Sequence, residues 1–467
     1  LSTQQGLLAP NFQTPRSVQF NVGFEHQVGA DTVFGVDYLR NIGTHSLLGL
    51  DTNHVGDAGF LQTAVVNGSK VPTAALNAIT ATVSPVGCPA AIAAGGGPGG
   101  SQTAVTCYLN LVQGASIADF ASHGLDSGAQ YLGGLPASVF GLTPGTGAAF
   151  AGMNPLVGRS TTFFPTGRSV YSGIQVWLRS EVRNPFRNVV SSHFQFSFTH
   201  SSYRSNLPGG LDDEGLLPLA ADFNHPTSYF GSAPGDRKNQ FSTATILDLV
   251  LGLRLSFTGH IASPLPQTLF LPARGLPGEI FRTDITGDGS FGGQSQTGSS
   301  PFGDVLPQTQ VGAFGRAVSA DQLNKTIENF NSRYAGTLTP AGQSLITSGL
   351  LTFQQLQLLN ATVPTLPAAP PNNVGLGWLR TFDASLAWPL RIRDRFTVEP
   401  RISAFNIFNA ANFDSPGNLL GGILNGTAGQ ANGATSASRT SNRIGFGSGV
   451  FAQGAPRQVE FGLKISF

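Results

Sequence analysis

The chain has 467 residues, only 11% of them charged, and a formal net charge of +1. An ordinary soluble domain carries about 25% charged residues, and a nearly neutral chain without a basic run gives nucleic acid nothing to bind. No apolar stretch reaches the roughly 18 residues of a spanning helix, so a membrane crossing would have to be made by a β-barrel.

The 60 Gly, 30 Pro and 34 Phe, set against one Met and three Trp, predict aromatic strands punctuated by turns and loops. Leu1 to Gly6 contain no initiator Met, charged n-region or apolar h-region, so the expectation is a chain without a signal peptide. In the first predicted hairpin Val18, Phe20, Val22 and Phe24 alternate with Gln19, Asn21, Gly23 and Glu25. After the turn Gly29, Ala30, Asp31 the alternation returns with Phe34, Val36 and Tyr38. A long connection from Leu47 to Arg168 follows. Cys88 and Cys107 flank its Gly95 to Gly100 run and read as a disulfide formed in an oxidising compartment, or as two separate thiols.

The second hairpin sets Ile174, Val176 and Leu178, then Phe194, Phe196 and Phe198, on one face around a turn at Asn184 and Pro185. Trp177 falls on its polar face, which alternation does not explain. His193 and His200 lie on opposite faces of their strand, because an odd offset switches sides. Beyond a connection from Tyr203 to Asp236, a third pair runs from about Arg237 to Leu247, with blurred alternation, and back through Leu253, Leu255 and Phe257. The acidic group Asp212, Asp213 and Glu214, with Asp222 nearby, reads first as a solvated loop and second as a cation lure.

The connection from Pro264 to Leu376 carries two further signals. In DITGDG, Asp284, Thr286 and Asp288 take positions one, three and five of a calcium loop, with Gly289 at six. Ser295 stands where a bidentate Glu belongs, so an Asp/Gly turn is the competing reading. Leu323, Ile327, Phe330 and Tyr334 make one helical face. Thr339 with Pro340 opens a second helix that Gly349 stops, and Thr352 with Gln355 forms a capping box for a third. This loop therefore reads as a folded cap.

The fourth hairpin has Phe382, Ala384, Leu386 and Trp388, then Phe396, Val398, Ile402 and Ala404. After a connection from Asn409 to Pro456, Val459, Phe461, Leu463, Ile465 and Phe467 form the last strand. Segments of about 10 to 12 residues match a tilted membrane strand better than the 5 or 6 of a sandwich. Short turns alternate with long loops, as in outer membrane barrels. The fold expected is all-β, a transmembrane antiparallel β-barrel with long extracellular loops containing short helices. Trp388, Phe396 and Phe467 would lie at its periplasmic rim. About nine strands result, and bacterial barrels have even counts, so further strands are expected upstream of this chain.

No HExxH, paired CxxC or phosphate loop occurs, and the eight His are scattered. The chain is expected not to be an enzyme, and no cofactor is expected. Glu25, Asp37, Arg179, Glu399, Arg401, Glu460 and Lys464 fall on the polar face, where Glu399 and Arg401 are expected to pair across strands with Glu460 and Lys464.

The stretches Asn11 to Val28, Arg168 to Ser180, Leu217 to Gly231, Asp236 to Ser242, Glu399 to Gly417 and Gly454 to Phe467 together resemble the C-terminal barrel of Oar-like TonB-dependent outer membrane transporters. FNIFN, Phe405 to Asn409, and the terminal Phe467 are its most diagnostic parts. The resemblance implies that residues 1–467 are part of a barrel of about 22 strands filled by an N-terminal plug. It also implies energy-coupled uptake of a bulky extracellular substrate. Energy would come from the TonB complex, gripping a box that this chain, like the plug, is expected to lack. Phe461, Leu463, Ile465 and Phe467 would be the signal read by the barrel insertion machinery. A passive porin or a surface adhesion barrel is the alternative on the same architecture.

Overall fold

The computed structural model describes residues 7–53, 63–66, 69–72, 116–117, 160–206, 220–272, 278–289, 302–315, 319–349, 351–368, 378–392, 396–410, 412 and 457–467. Cys88, Cys107, Asp212, Asp213 and Glu214 lie outside them. The main sheet is built from nine long strands: β1 (Arg16–Val28), β2 (Thr32–Asp51), β3 (Thr161–Arg183), β4 (Val189–Ser205), β5 (Asn239–Leu249), β6 (Arg254–Ala262), β7 (Leu379–Ala387), β8 (Phe396–Phe405) and β9 (Gln458–Ser466). Each pairs antiparallel with its neighbours in chain order. Among the described residues the wall is open, with β1 and β9 at its edges.

Register converts alternation along each strand into two faces of a sheet. Phe24 lies opposite Val36, Val36 opposite Val176, Val176 opposite Phe198, Phe198 opposite Phe241 and Phe241 opposite Ile261. At the other edge Leu255 faces Leu386, Leu386 faces Ile402 and Ile402 faces Phe461. A slip of one residue at any pairing would transfer a whole strand to the wrong side; the register shifts, at Thr44 to Leu48 and at Val189 to Ser191, stay local and leave these rows intact.

The short turns of the four expected hairpins fall at one end of the wall, the tip of the fourth, 393–395, lying outside the described residues. Gly29 (φ 71°), Asn184 (φ 52°), Asn188 (φ 71°) and Gly252 (φ 76°) supply the left-handed conformations that reverse the chain there. Trp388, beside the fourth turn, donates its indole N–H to the carbonyl of Leu251 in the third at 2.9 Å, so the rim aromatic ties adjacent turns. At the opposite end β2, β3 and β4 run further than expected, to 20, 23 and 17 residues. The first long connection accordingly begins after Asp51 and ends before Thr161, rather than at Leu47 and Arg168.

The placement of buried apolar residues separates this sheet from a soluble sandwich. Of the buried apolar side chains described, only Leu48, Ala262 and Ala387 belong to the nine strands, whereas Val18, Phe20, Val22, Phe24 and Ile402 are exposed. A sandwich would press one such face against a second layer. Among the described residues the greasy row here is pressed against no second layer.

The described core lies instead between β6 and β7. Helix α1 (Ala320–Arg333) starts at Ser319, whose hydroxyl accepts from the Gln322 amide while the Gln322 side chain reciprocates, and it carries Asp321 early and Arg333 late. Helix α2 (Pro340–Thr347) is capped by Thr339, and α3 (Phe353–Leu358) by the Thr352/Gln355 box. The predicted face Leu323, Ile327 and Phe330 is buried against Leu269, Leu271, Leu306, Val363 and Leu366, with Tyr334 packed beside it. The loop is a folded cap, as its periodicity and capping residues indicated.

Candidate functional site

The polar side of the wall is as continuous as the apolar one. Glu25 faces Gly35, Gly35 faces Trp177, Trp177 faces Ser197 and Ser197 faces Ser242. Trp177, the exception to simple alternation, is explained by its partner. A methyl group built on Gly35 would overlap the indole ring, so glycine opposite tryptophan lets the ring lie across the backbone and cover it. The Trp177 Nε1–H donates to Asp37 Oδ2 at 2.8 Å, and the Arg179 guanidinium sits 5.5 Å from the ring centroid. Asp37 has its own cleared space over Gly23. Asp37, Gln175, Trp177, Arg179, Gln195 and Ser197 line a concavity of about 400 Å³. We expect Gly35→Val to expel the indole and break its bond to Asp37, seen as a red shift and easier quenching of Trp177 fluorescence in a variant whose other tryptophans are replaced. Unchanged emission would contradict this packing.

Charges on this face pair locally. Arg254 Nε meets Asp248 Oδ1 at 2.8 Å, and Ser191 donates to the other oxygen of Asp248 at 2.7 Å. Arg401 Nη2 bonds Glu399 Oε1 at 2.6 Å. The sequence expectation paired Glu399 and Arg401 across strands, but two residues apart on one strand they already share a face and are near enough to meet. Glu399 does lie opposite Lys464, while Glu460 lies opposite Ser403. His193 contacts Glu181 at 3.5 Å and His200 bonds Asn239, on opposite faces as their spacing requires.

The second candidate is in the cap. Asp284 and Asp288 come together as the DITGDG spacing predicts, and a third carboxylate joins them. Oxygens of Asp284, Asp288 and Asp304 all lie within 4.8 Å of one another, and all three residues are buried. The turn is wound on these oxygens. Asp284 accepts from the amides of Asp288 and Gly289, both at 3.0 Å, Asp304 accepts from the Thr286 amide at 2.7 Å, and Asp288 accepts from the Phe223 amide at 2.7 Å. Burial, then the charges of Asp304 and Asp288, hold the Asp284 carboxyl well above the usual carboxylate range. Burial and the charges of Asp222, Asp304 and Asp288 likewise push Tyr229 up to about 12. Asp304 was invisible to sequence reasoning, because it lies well along the chain from the motif in the short strand Phe302–Val305. Asp222 is buried rather than solvated: its Oδ1 accepts from the Asn224 and His225 amides and closes a turn, and its Oδ2 lies 3.4 Å from His225 Nδ1.

A model of the family described as an outer membrane beta barrel domain matches residues 1–270. The chain belongs to this family. Its home is therefore the bacterial outer membrane, with the apolar face of the sheet toward lipid. Among solved structures it is similar to the outer membrane transporter YddB from Escherichia coli, with a TM-score of 0.36 and 8% identity over 100% of this chain and 34% of that one. It is similar also to the FrpB iron transporter from Neisseria meningitidis, with a TM-score of 0.34 and 8% identity over 98% of this chain and 32% of that one. The chain thus spans about a third of the length of these transporters. No curated protein matches it in sequence.

Two diagnostic segments of this outer membrane barrel acquire geometry. In FNIFN, Asn406 (φ 47°) and Asn409 (φ 50°) turn the chain out of β8. The Asn406 amide donates to Asp383 Oδ1, its side chain bonds Ala410 in both directions, and Asn412 brackets Arg380 in the same way. Asparagine ends the strand here because it tolerates the left-handed region and supplies both a donor and an acceptor. In β9, Phe461, Leu463 and Ile465 are 80%, 65% and 57% exposed along one face, and Phe467 beyond the strand is 97% exposed.

Proposed function

We propose that this barrel takes part in TonB-dependent, energy-coupled uptake of a bulky substrate across the outer membrane. The observation that carries the reading is the inner wall. A continuous polar surface, holding Asp37, Trp177, Arg179, Glu399 and Arg401, lines the side opposite lipid, and a folded cap rises from the end opposite the short turns. Polar groups fixed in paired geometry suit contact with a plug or a passing solute, and a cap with its own core suits capture outside the cell. The resemblance of the FNIFN and terminal segments to Oar-like transporters supports the same reading.

On this reading the TonB complex is the energy partner, and the insertion machinery reads Phe461, Leu463, Ile465 and Phe467 during assembly. No catalytic step is assigned to the chain. Cells carrying the whole gene should gain substrate accumulation that collapses when the proton motive force is dissipated. Accumulation insensitive to that treatment, together with steady ion conductance of the purified protein in planar bilayers, would favour a passive porin instead.

A further inference from the structure

We infer that Asp284, Asp288 and Asp304, with Thr286, hold a calcium ion that locks the extracellular cap. The three carboxylates come from two separate stretches of the loop, yet their oxygens converge within 4.8 Å in the protein interior. Like charges at that separation repel strongly when water is excluded, and a cation among the three oxygens would relieve that repulsion. A second observation points into the same place. Thr286 Oγ1 is buried and has no hydrogen-bond partner, although a buried hydroxyl ordinarily finds one. Thr286 stands between Asp284 and Asp288, and its amide is already bound to Asp304, which seats its side chain beside the cluster. A buried hydroxyl oxygen with a free lone pair can serve as a hard ligand to a cation.

The donor set selects the ion. All four groups are hard oxygens, without His or Cys, which disfavours zinc and copper. A site built of several buried protein oxygens suits calcium, whereas magnesium keeps most of its waters. The missing Glu at position twelve is then no obstacle, because Asp304 approaches from another strand to supply the third carboxylate. Bound there, calcium would join residues 284–289 to the Phe302–Val305 strand and, through the Asp288 bond to the Phe223 amide, to the neighbouring loop. The inference is independent of whether transport is energy-coupled.

The test uses the whole chain, folded in detergent micelles and stripped with EGTA. Calorimetric titration with calcium chloride should show one saturable site, and calcium should protect residues 264–376 from limited proteolysis. Asp304→Asn and Thr286→Val should each weaken calcium binding by about tenfold or more, as expected when a ligand is lost. Thr286→Val keeps the side-chain volume and every carboxylate, so it remains informative if Asp304→Asn does not fold. Absence of both heat and protection in the parent protein, or calcium affinity unchanged in Thr286→Val, would overturn the assignment.

Discussion

Val176→Arg should destabilise the folded barrel by about 2–4 kcal/mol, the depth-dependent cost of a cation on the lipid face of an outer membrane barrel. Gln175→Arg, its neighbour in sequence, should change stability by no more than about 0.5 kcal/mol. Val176 lies between Val36 and Phe198 on the apolar face, so an arginine there must either enter hydrocarbon or distort the strand. Gln175 lies between Asp37 and Thr199 on the polar face, where an added cation meets water and a carboxylate. Urea unfolding in lipid vesicles measures both. Equal costs for the two substitutions would mean that the two faces do not differ in environment.

Removal of Phe467 should have the larger biological effect, abolishing appearance of the protein in the outer membrane while leaving its synthesis intact. The final strand presents Phe461, Leu463 and Ile465 as an exposed row, with Phe467 at its tip. On the proposed reading the insertion machinery recognises this row, and the ring of Phe467 suits the membrane interface at its end. Phe467→Trp should restore assembly, because it keeps a large aromatic ring suited to the membrane interface. Membrane fractionation and heat-modifiable mobility on gels report both variants. Normal insertion of the truncated protein would remove the proposed role from this residue.

Most of the wall was legible because a membrane strand has a simple code. Residues such as Val18, Phe20 and Val22 must alternate with polar neighbours over a length set by hydrocarbon thickness, and turns such as Gly29 to Asp31 punctuate them. The capped helices were legible for a similar reason, since Ser319 with Gln322 and Thr352 with Gln355 act over three residues. Features that depend on a partner remote in sequence were not. Trp177 on the polar face makes sense only once register sets Gly35 opposite it, 140 residues from the Asp37 that accepts its N–H. Gly259 opposite Phe382 repeats the device on the apolar face, where an added Cβ would come within 3.0 Å of the ring. Asp304 completes the aspartate cluster from outside the motif, and the Glu399–Arg401 pair chose the nearer partner along its own strand. Local periodicity names an element; only the pairing names its neighbours.

The two faces of the sheet can be read directly by nitroxide labelling in lipid bilayers. Single cysteines would be placed by Phe20→Cys, Phe196→Cys and Leu463→Cys on one face and Gln19→Cys, Gln195→Cys and Lys464→Cys on the other, in a background with Cys88→Ser and Cys107→Ser. The first set should collide preferentially with oxygen dissolved in the lipid, and the second with a water-soluble nickel chelate. Should the first set be shielded from oxygen, or meet the nickel chelate as readily as the second, the apolar stripe does not face lipid and the outer membrane wall described here is wrong.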